Sequence, residues 1–269
     1  MKLHIRHRTV YSYTGVVIHA MQLVRMTPRP FDGLDIVNWR IKGEDRRPLM
    51  VTSDGFGNVI HVHTMRKARE RTAIFVEGEV ETRNTHGIVG VSHGTLPPVF
   101  FLRSTDLTHP TEALEDLAGR VSRAPTLDRL HELMNLVRER IDYRIGATQV
   151  RTTADQALAL GAGVCQDHAH VFITCARIMG IPARYVSGYL YTGTDHDEDA
   201  SHAWAEAFVD ELGWVGFDPA NNVCPGEFYV RTAVGLDYWS AAPVRGIWGG
   251  AGEESLEVRV QVQMAQSQQ

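Results

Sequence analysis

The sequence contains few cysteines and no long apolar run. Only three of its 269 residues are cysteine, an odd and sparse set that argues against a disulfide scaffold and favours a reducing compartment. No apolar run approaches the roughly 20 residues needed to cross a bilayer. The first eight residues alternate charged and apolar side chains, so they lack the apolar centre of a signal peptide. These absences predict a cytoplasmic protein without a membrane partner.

The chain has no net positive charge, and it contains little lysine. The formal net charge is −5 at pH 7, which excludes bulk electrostatic attraction to nucleic acid or to an anionic membrane. Lysine is confined to Lys2, Lys42 and Lys67, and all other basic side chains apart from histidine are arginines. Hydrophobic residues make up 43% and charged residues 22% of the chain, as in globular proteins, and the length suits two domains.

The first part of the chain has the period-two pattern of β-strands. Every second side chain from Leu3 to Tyr11 lies on one face, and residues 58–65 and 72–81 alternate in the same way. Turn-forming residues separate these runs. We therefore predict an antiparallel β-sandwich over residues 1–105, in which no motif suggests a reaction.

The second part predicts helices followed by strands. Apolar residues recur at helical spacing over residues 127–141, a short helix is expected after Thr153, and a third begins near Cys165 and ends at Gly180. Strand-like runs follow at 183–191, 202–210, 214–218 and 256–262. Helices packed on an antiparallel sheet over residues 106–269 would make the chain an α+β protein.

Cys165 is the candidate nucleophile. It follows the segment Gly161-Ala-Gly-Val164 and begins a predicted helix, where free N–H groups and the helix dipole favour the thiolate over the thiol. The glycines let another backbone, such as that of an acyl donor, approach closely. The alternative interpretation is a small buried structural side chain.

His202 and Asp218 are the candidate base and orienting acid. His202 begins the predicted strand 202–210, and Asp218 ends the next one. With the turn centred near residue 210, Asp218 falls beside His202 on the same face, where a carboxylate fixes the tautomer and stabilises the imidazolium. A shift of one residue in the register would instead put the two side chains on opposite faces.

Four separated motifs occur in this order: Gly-Val-Cys165-Gln-Asp-His-Ala, Gly180-Ile-Pro-Ala-Arg-Tyr-Val, Ser201-His202-Ala-Trp-Ala-Glu and Gly213-Trp-Val-Gly-Phe-Asp218-Pro. Together they resemble the core of the transglutaminase-like superfamily over residues 125–222. The β-rich stretch before them is similar to the bacterial transglutaminase-like N-terminal domain. The resemblance implies a papain-like core with nucleophile Cys165, base His202 and orienting acid Asp218.

Acyl transfer also needs hydrogen-bond donors for the oxyanion. The backbone N–H of Cys165 is one candidate by position. Tyr143 and Thr148 are similar to a Tyr-x-x-x-x-Thr segment found upstream of the nucleophile in bacterial relatives. The Tyr143 hydroxyl would be a second donor, or its ring would pack beneath the cysteine.

Two histidine pairs have the spacing of metal ligands. His61 and His63 point the same way on a strand but have no evident third ligand, whereas His168 and His170 diverge by about 200° on a helix. We therefore predict no metal and no cofactor.

Three further features are less informative. Cys175 is interpreted as a core residue, and Cys224 as a spare thiol near the predicted site or a side chain without a role. The acidic segment 194–200 is interpreted as a solvated loop, a lid or a repeller of acidic substrates.

The sequence predicts thiol-dependent acyl transfer on an amide or peptide bond, with a peptide or protein amide as substrate. A cysteine peptidase or amidase, in which water resolves the thioester, is one alternative; a catalytically silent binding or scaffold protein is another. Because all three lysines lie in the first 67 residues, the catalytic part carries no ε-amine, and slight self-crosslinking is expected. The alternative explanation of the low lysine count is a genomic bias toward arginine codons.

Overall fold

A seven-stranded and a five-stranded antiparallel sheet form the body of the protein, and helices pack against the second sheet. The structure, a computed structural model, describes residues 1–45, 47–65, 69–91, 96–193 and 201–265. The predicted α+β class is confirmed, and the antiparallel N-terminal part is built from one curled sheet.

The strands are given in chain order. They are β1 (Lys2–Val24), β2 (Leu34–Gly43), β3 (Met50–Ser53), β4 (Val59–Met65), β5 (Arg69–Thr82), β6 (Ile88–Gly90), β7 (Asp142–Tyr143), β8 (Ala162–Gly163), β9 (Ala183–Leu190), β10 (His202–Val209), β11 (Gly213–Phe217), β12 (Tyr229–Gly235), β13 (Val244–Gly250) and β14 (Glu254–Met264). Two 3₁₀ turns, Pro98–Leu102 and Asp106–Thr108, follow β6.

Most of the helices lie between β6 and β9 in the sequence. They are α1 (Glu112–Gly119), α2 (Thr126–Arg140), α3 (Ala154–Leu160), α4 (Cys165–Ile178) and α5 (Tyr238–Ala241). The predicted helices correspond to α2, α3 and α4. Among the residues that the structure describes, no helix combines the length and apolar character that a membrane span requires.

The long strand β1 organises the first sheet, whose order is β2-β5-β1-β4-β3. Its first half pairs with β5 and β14, and its second half with β4 and β13. The register with β5 shifts between Ser12 and Val17. A β-carbon on Gly15, within this shift, would lie 2.2 Å from the Ala251 carbonyl oxygen, so the bend requires glycine there.

The C-terminal strands return to the N-terminal sheet. The strand predicted at residues 256–262 corresponds to β14, which pairs with β1 along most of its length. Conversely, β6 pairs with β11 in the second sheet. The division at residues 105 and 106 stays a prediction about the chain, but each sheet takes strands from both sides of it.

The second sheet, of order β12-β9-β10-β11-β6, supports α4 on one face. Every side chain of α4 from Asp167 to Arg177 is buried, because the sheet covers one side of the helix and α1, α2 and α3 cover the other. Apolar residues at helical spacing indicate one buried face only, whereas a helix enclosed on all sides is a central element of the core. This enclosure holds the first residue of α4, Cys165, in place.

Candidate active site

The N-terminus of α4 presents Cys165. Cys165 is the first residue of the helix, and Val164 is its N-cap. The Asp167 carboxylate closes this end, because its Oδ2 accepts hydrogen bonds from the Val164 N–H at 2.8 Å and the Thr148 hydroxyl at 2.6 Å. This cap holds the first turn, and with it the cysteine, in a defined position.

The two glycines before Cys165 shape the end of α3 and the start of α4. A β-carbon on Gly163 would lie 2.6 Å from the Asp167 Cβ, so Asp167 occupies the space that we expected a substrate backbone to use. Gly161 ends α3 in the left-handed conformation, with φ of 64°, where glycine carries no strain.

A hairpin of β10 and β11 brings His202 to Asp218. Ala205 pairs with Phe217. This register places the side chains of His202 and Asp218 on the same face of the hairpin, so the predicted register is confirmed. His202 is the first residue of β10, and Asp218 follows β11 directly. The His202 Nε2 lies 2.7 Å from the Asp218 Oδ2.

Asp218 is fully buried and surrounded by donors. Its Oδ2 also accepts hydrogen bonds from the Asn221 amide and the Tyr229 hydroxyl, both at 2.8 Å, and its Oδ1 accepts one from the Ala220 N–H at 3.0 Å. Burial by itself would raise the pKa of Asp218, but the hydrogen bonds from His202, Asn221 and Tyr229 lower it below its usual range. The carboxylate is therefore ionised and fixed.

The His202 imidazole joins Asp218 to Cys165. Its pKa responds to the Cys165 side chain as well as to Asp218, and because Nε2 is directed at Asp218, Nδ1 is the nitrogen left for the sulfur. Burial alone would lower the pKa of His202, whereas the contacts with Asp218 and Cys165 raise it to about 10. The Trp204 ring stacks on the imidazole at a centroid distance of 6.2 Å. The imidazolium is thus stabilised between two partners.

The other two thiols have different surroundings. Burial raises the pKa of Cys175 to about 12, and its sulfur donates a hydrogen bond to the Leu114 carbonyl at 3.6 Å. The prediction that Cys175 is a core residue is confirmed. Burial also raises the pKa of Cys224. Both are therefore neutral thiols near pH 7, whereas Cys165 has an imidazole partner.

Cys165 and His202 open into a cavity of about 770 Å³. Tyr143 lies on the wall of this cavity with 47% of its surface exposed, which disfavours the alternative of a ring packed beneath the cysteine. Its use as an oxyanion donor stays a prediction. The backbone N–H of Cys165 belongs to the first turn of α4 and has no acceptor within the helix.

The histidine pairs considered as metal ligands have other partners. His61 and His63 each contact a neutral side chain at 2.9 Å. On α4, His168 contacts two backbone carbonyls, and His170 accepts a hydrogen bond from the backbone N–H of Tyr238. Over the described ranges of the chain, no group of three or more histidine, cysteine or acidic side chains is arranged to hold a metal ion.

The same hairpin contains a second buried carboxylate. Glu206 lies in the middle of β10 and is fully buried. Its Oε2 accepts a hydrogen bond from the Arg184 Nε at 2.6 Å, and its Oε1 accepts one from the Arg231 Nε at 2.7 Å. The Arg184 guanidinium also lies 3.8 Å from the centre of a Trp214 ring. The two arginines outweigh burial and lower the pKa of Glu206.

Sequence reasoning missed two donors to Asp218. Asn221 follows it by three residues, and this proximity alone was a usable signal. Tyr229 begins β12, a strand that we did not predict, and its position depends on the pairing of β12 with β9. The acidic segment 194–200, interpreted as a loop or lid, lies outside the described residues.

Known protein families match both parts of the chain. The profile of the transglutaminase-like superfamily matches residues 115–219, and that of the bacterial transglutaminase-like N-terminal region matches residues 3–81. An uncharacterized protein of Mycobacterium leprae is 30% identical over 276 residues, covering 97% of this chain and 98% of that protein. The chain belongs to the transglutaminase-like superfamily.

Other similar proteins extend this comparison. An uncharacterized protein of Mycobacterium bovis is 29% identical to this transglutaminase-like chain, covering 97% of it and 92% of the relative. The crystal structure of a candidate cysteine protease from Cytophaga hutchinsonii superposes with a TM-score of 0.78 at 20% identity, covering 100% of this chain and 92% of the other. This last likeness concerns the fold. The family and its relatives support a cysteine-dependent activity in general terms.

Proposed function

We propose that the protein is a transglutaminase-like cysteine enzyme that transfers the acyl group of an amide or peptide bond through Cys165, His202 and Asp218. The observation that carries this proposal is that Cys165 and His202 line one open cavity, and that His202 is hydrogen-bonded to the buried Asp218. A buried carboxylate, an imidazole and a thiol in this order are the groups that nucleophilic acyl transfer requires.

The reaction has two steps. The Cys165 sulfur attacks the carbonyl carbon of the substrate amide, and His202 donates its proton to the leaving amine as the C–N bond breaks. A primary amine or water then attacks the thioester carbonyl. His202 removes a proton from this attacking group, and the C–S bond breaks as the sulfur leaves as a thiolate. Asp218 stays ionised throughout and holds the imidazole by its Nε2–H.

Transfer and hydrolysis differ in the acceptor alone. We favour transfer because the family includes transglutaminases, while the candidate protease from Cytophaga hutchinsonii, which has the same fold, keeps hydrolysis as the second function. The proposed substrate is a peptide or protein amide in either case. A binding protein that keeps the three residues as structure is the outcome to be excluded.

Selective alkylation tests the nucleophile. Brief treatment with iodoacetamide near pH 6, followed by peptide mapping, should modify Cys165 much faster than Cys175 or Cys224, whose thiols are neutral. Cys224→Ser should retain the fast label and Cys165→Ser should lose it. Equal modification of all three cysteines would show that Cys165 is not the nucleophile and would favour the silent protein.

A partition experiment then tests the acceptor. Glutamine-containing and other short peptides are incubated with the enzyme and rising concentrations of a small primary amine, and hydrolysed and aminated products are counted by mass spectrometry. Amine incorporation that saturates and exceeds hydrolysis indicates an acceptor site and a transglutaminase. Incorporation that rises linearly from near zero indicates a peptidase or amidase.

A further inference from the structure

The first sheet closes one side of the cavity that contains Cys165 and His202. Five side chains from its strands β1 and β14 line this side, and we name them the β1–β14 wall: His7, Thr9, Tyr11, Leu256 and Val258. The part of the sequence in which no motif suggested a reaction therefore faces the candidate nucleophile.

The β1–β14 wall lies next to a packed interface between the two sheets. On the same face of β1, Leu3 and Ile5 are fully buried against Tyr189 and Val230 of the second sheet. Farther along the strand, side chains of the same face line the cavity, and the first of them, His7, still contacts Tyr189 of the second sheet at 3.1 Å. One face of a single strand thus forms both the interface and the cavity wall.

Strand pairing makes the wall a continuous surface. In the antiparallel register of β1 with β14, Thr9 lies opposite Val258 and Tyr11 lies opposite Leu256. Side chains directly opposite each other on one face of a sheet are in contact range. The two pairs therefore form one patch, although about 250 residues separate its strands in the sequence.

Burial and the Glu254 carboxylate, which does not line this cavity, raise the pKa of the wall residue Tyr11, whereas the described lining itself carries little charge apart from His202. Among the described residues that line the cavity, none is an aspartate, glutamate, lysine or arginine. Burial lowers the pKa of His7 to about 4, and its ring nitrogens contact the Tyr189 hydroxyl at 3.1 Å and the Thr9 hydroxyl at 2.8 Å. The wall is thus neutral at physiological pH.

We propose that the β1–β14 wall selects the acyl donor by receiving an uncharged, preferably apolar or aromatic, side chain next to the carbonyl that Cys165 attacks. This inference rests on the proposed function. A charged side chain would leave water at this surface without gaining an ionic partner, which is costly, whereas an apolar one gains from burial. The volume, about 770 Å³, lies within the roughly 300–1,000 Å³ typical of small-ligand sites.

Four affinity reagents that differ in one side chain test this selection. The benzyloxycarbonyl chloromethyl ketones of phenylalanine, glutamine, glutamate and lysine are compared by their second-order rates of Cys165 alkylation. We expect phenylalanine to react fastest and glutamine to react about tenfold faster than glutamate, since these two differ in charge but hardly in shape. Lysine should also react more slowly than glutamine.

Two neighbouring substitutions locate the selecting surface. Leu256 and Ser255 are both exposed on β14, but Leu256 lines the cavity and Ser255 points to the opposite face of the strand. Leu256→Glu should raise the rate of the lysine reagent relative to that of the glutamate reagent about tenfold. Ser255→Glu, which adds the same charge one residue away, should keep the wild-type order.

The outcomes separate this inference from the proposed function. If iodoacetamide, which has no amino-acid side chain, fails to modify Cys165 selectively, the proposed function fails. If iodoacetamide is selective but the glutamate or lysine reagent equals or exceeds the glutamine reagent, the selection for neutral side chains is wrong. If Leu256→Glu and Ser255→Glu behave alike, the wall is not the selecting surface.

Discussion

The hairpin of β10 and β11 holds two buried carboxylates in ion pairs, and their cationic partners differ. Asp218 contacts His202, whose other ring nitrogen is left for a thiol at an open cavity. Glu206 contacts Arg184 and Arg231, and all three of these side chains are buried. The carboxylates are alike in burial and in their lowered pKa values.

The difference teaches how one hairpin separates chemistry from stability. Arginine keeps its proton near neutral pH, so the Glu206 cluster stays fixed through any reaction. Histidine exchanges its proton at moderate cost, so the charge of the Asp218 pair can change during turnover. We therefore expect substitutions at Asp218 to affect the reaction and substitutions at Glu206 to affect folding.

The largest effect is expected from Asp218→Asn. The imidazole loses the anion that orients it, so turnover should fall by about 10²–10⁴-fold while circular dichroism stays that of the wild type. Turnover of the best amide substrate and the rate of Cys165 alkylation are the measurements. Wild-type turnover in a correctly folded variant would remove Asp218 from the mechanism.

Glu206→Gln should act on stability instead. Removing the carboxylate leaves Arg184 and Arg231 buried without their shared partner, and the free energy of unfolding should fall by about 3–5 kcal/mol. Urea unfolding measures it. Glu257→Gln is the matched control, since its ion pair with Arg259 is half exposed and is worth about 0–1 kcal/mol. Similar losses in both variants would contradict the structural role of the Glu206 cluster.

Tyr229→Phe should have a smaller effect on the reaction. It removes one hydrogen bond to the Asp218 Oδ2, at 2.8 Å, and leaves those from His202 and Asn221 in place. Because a hydrogen bond to a charged group contributes about 1.5–3 kcal/mol, turnover should fall roughly tenfold or somewhat more. A loss as large as that of Asp218→Asn would show that Tyr229 takes part in the reaction directly.

A pH series distinguishes the two ion pairs through a gradual change with pH rather than through a large loss of activity or stability at any one pH. The pKa of His202 is raised from 6.5 to about 10, so its protonated form contributes stability that is fully present below pH 6.5 and is lost as the pH rises toward 10. Between pH 6.5 and about pH 8.5, the wild type should therefore lose free energy of unfolding relative to His202→Gln.

The Glu206 cluster provides the reference for this pH series. The pKa of Glu206 lies below 4.5, so its stabilisation is present above that pH and is lost only as the pH falls through the lowered value. The difference in unfolding free energy between the wild type and Glu206→Gln should stay constant over the same interval. A slope of the same size in both comparisons would show that His202 is not the group that titrates.

Much of the candidate site could be predicted because it depends on local patterns. A cysteine after a glycine-rich turn and before a helical apolar pattern places Cys165 at a helix start. The two-residue period of a short hairpin sets which side chains share a face, so Asp218 could be placed beside His202. The oxyanion donors, the substrate and the cytoplasmic location stay predictions.

The sequence by itself predicted the α+β class, the position of Cys165 and, in one of two possible registers, the pairing of His202 with Asp218, because each of these depends mainly on local patterns. Only the tertiary structure decided that Tyr229 reaches Asp218, that α4 is buried on every side and that β14 joins β1 beside the cavity. Alternation along a strand reports that one face is buried, but it does not identify what covers that face. The pairing of residues about 250 positions apart therefore had no signal in the sequence.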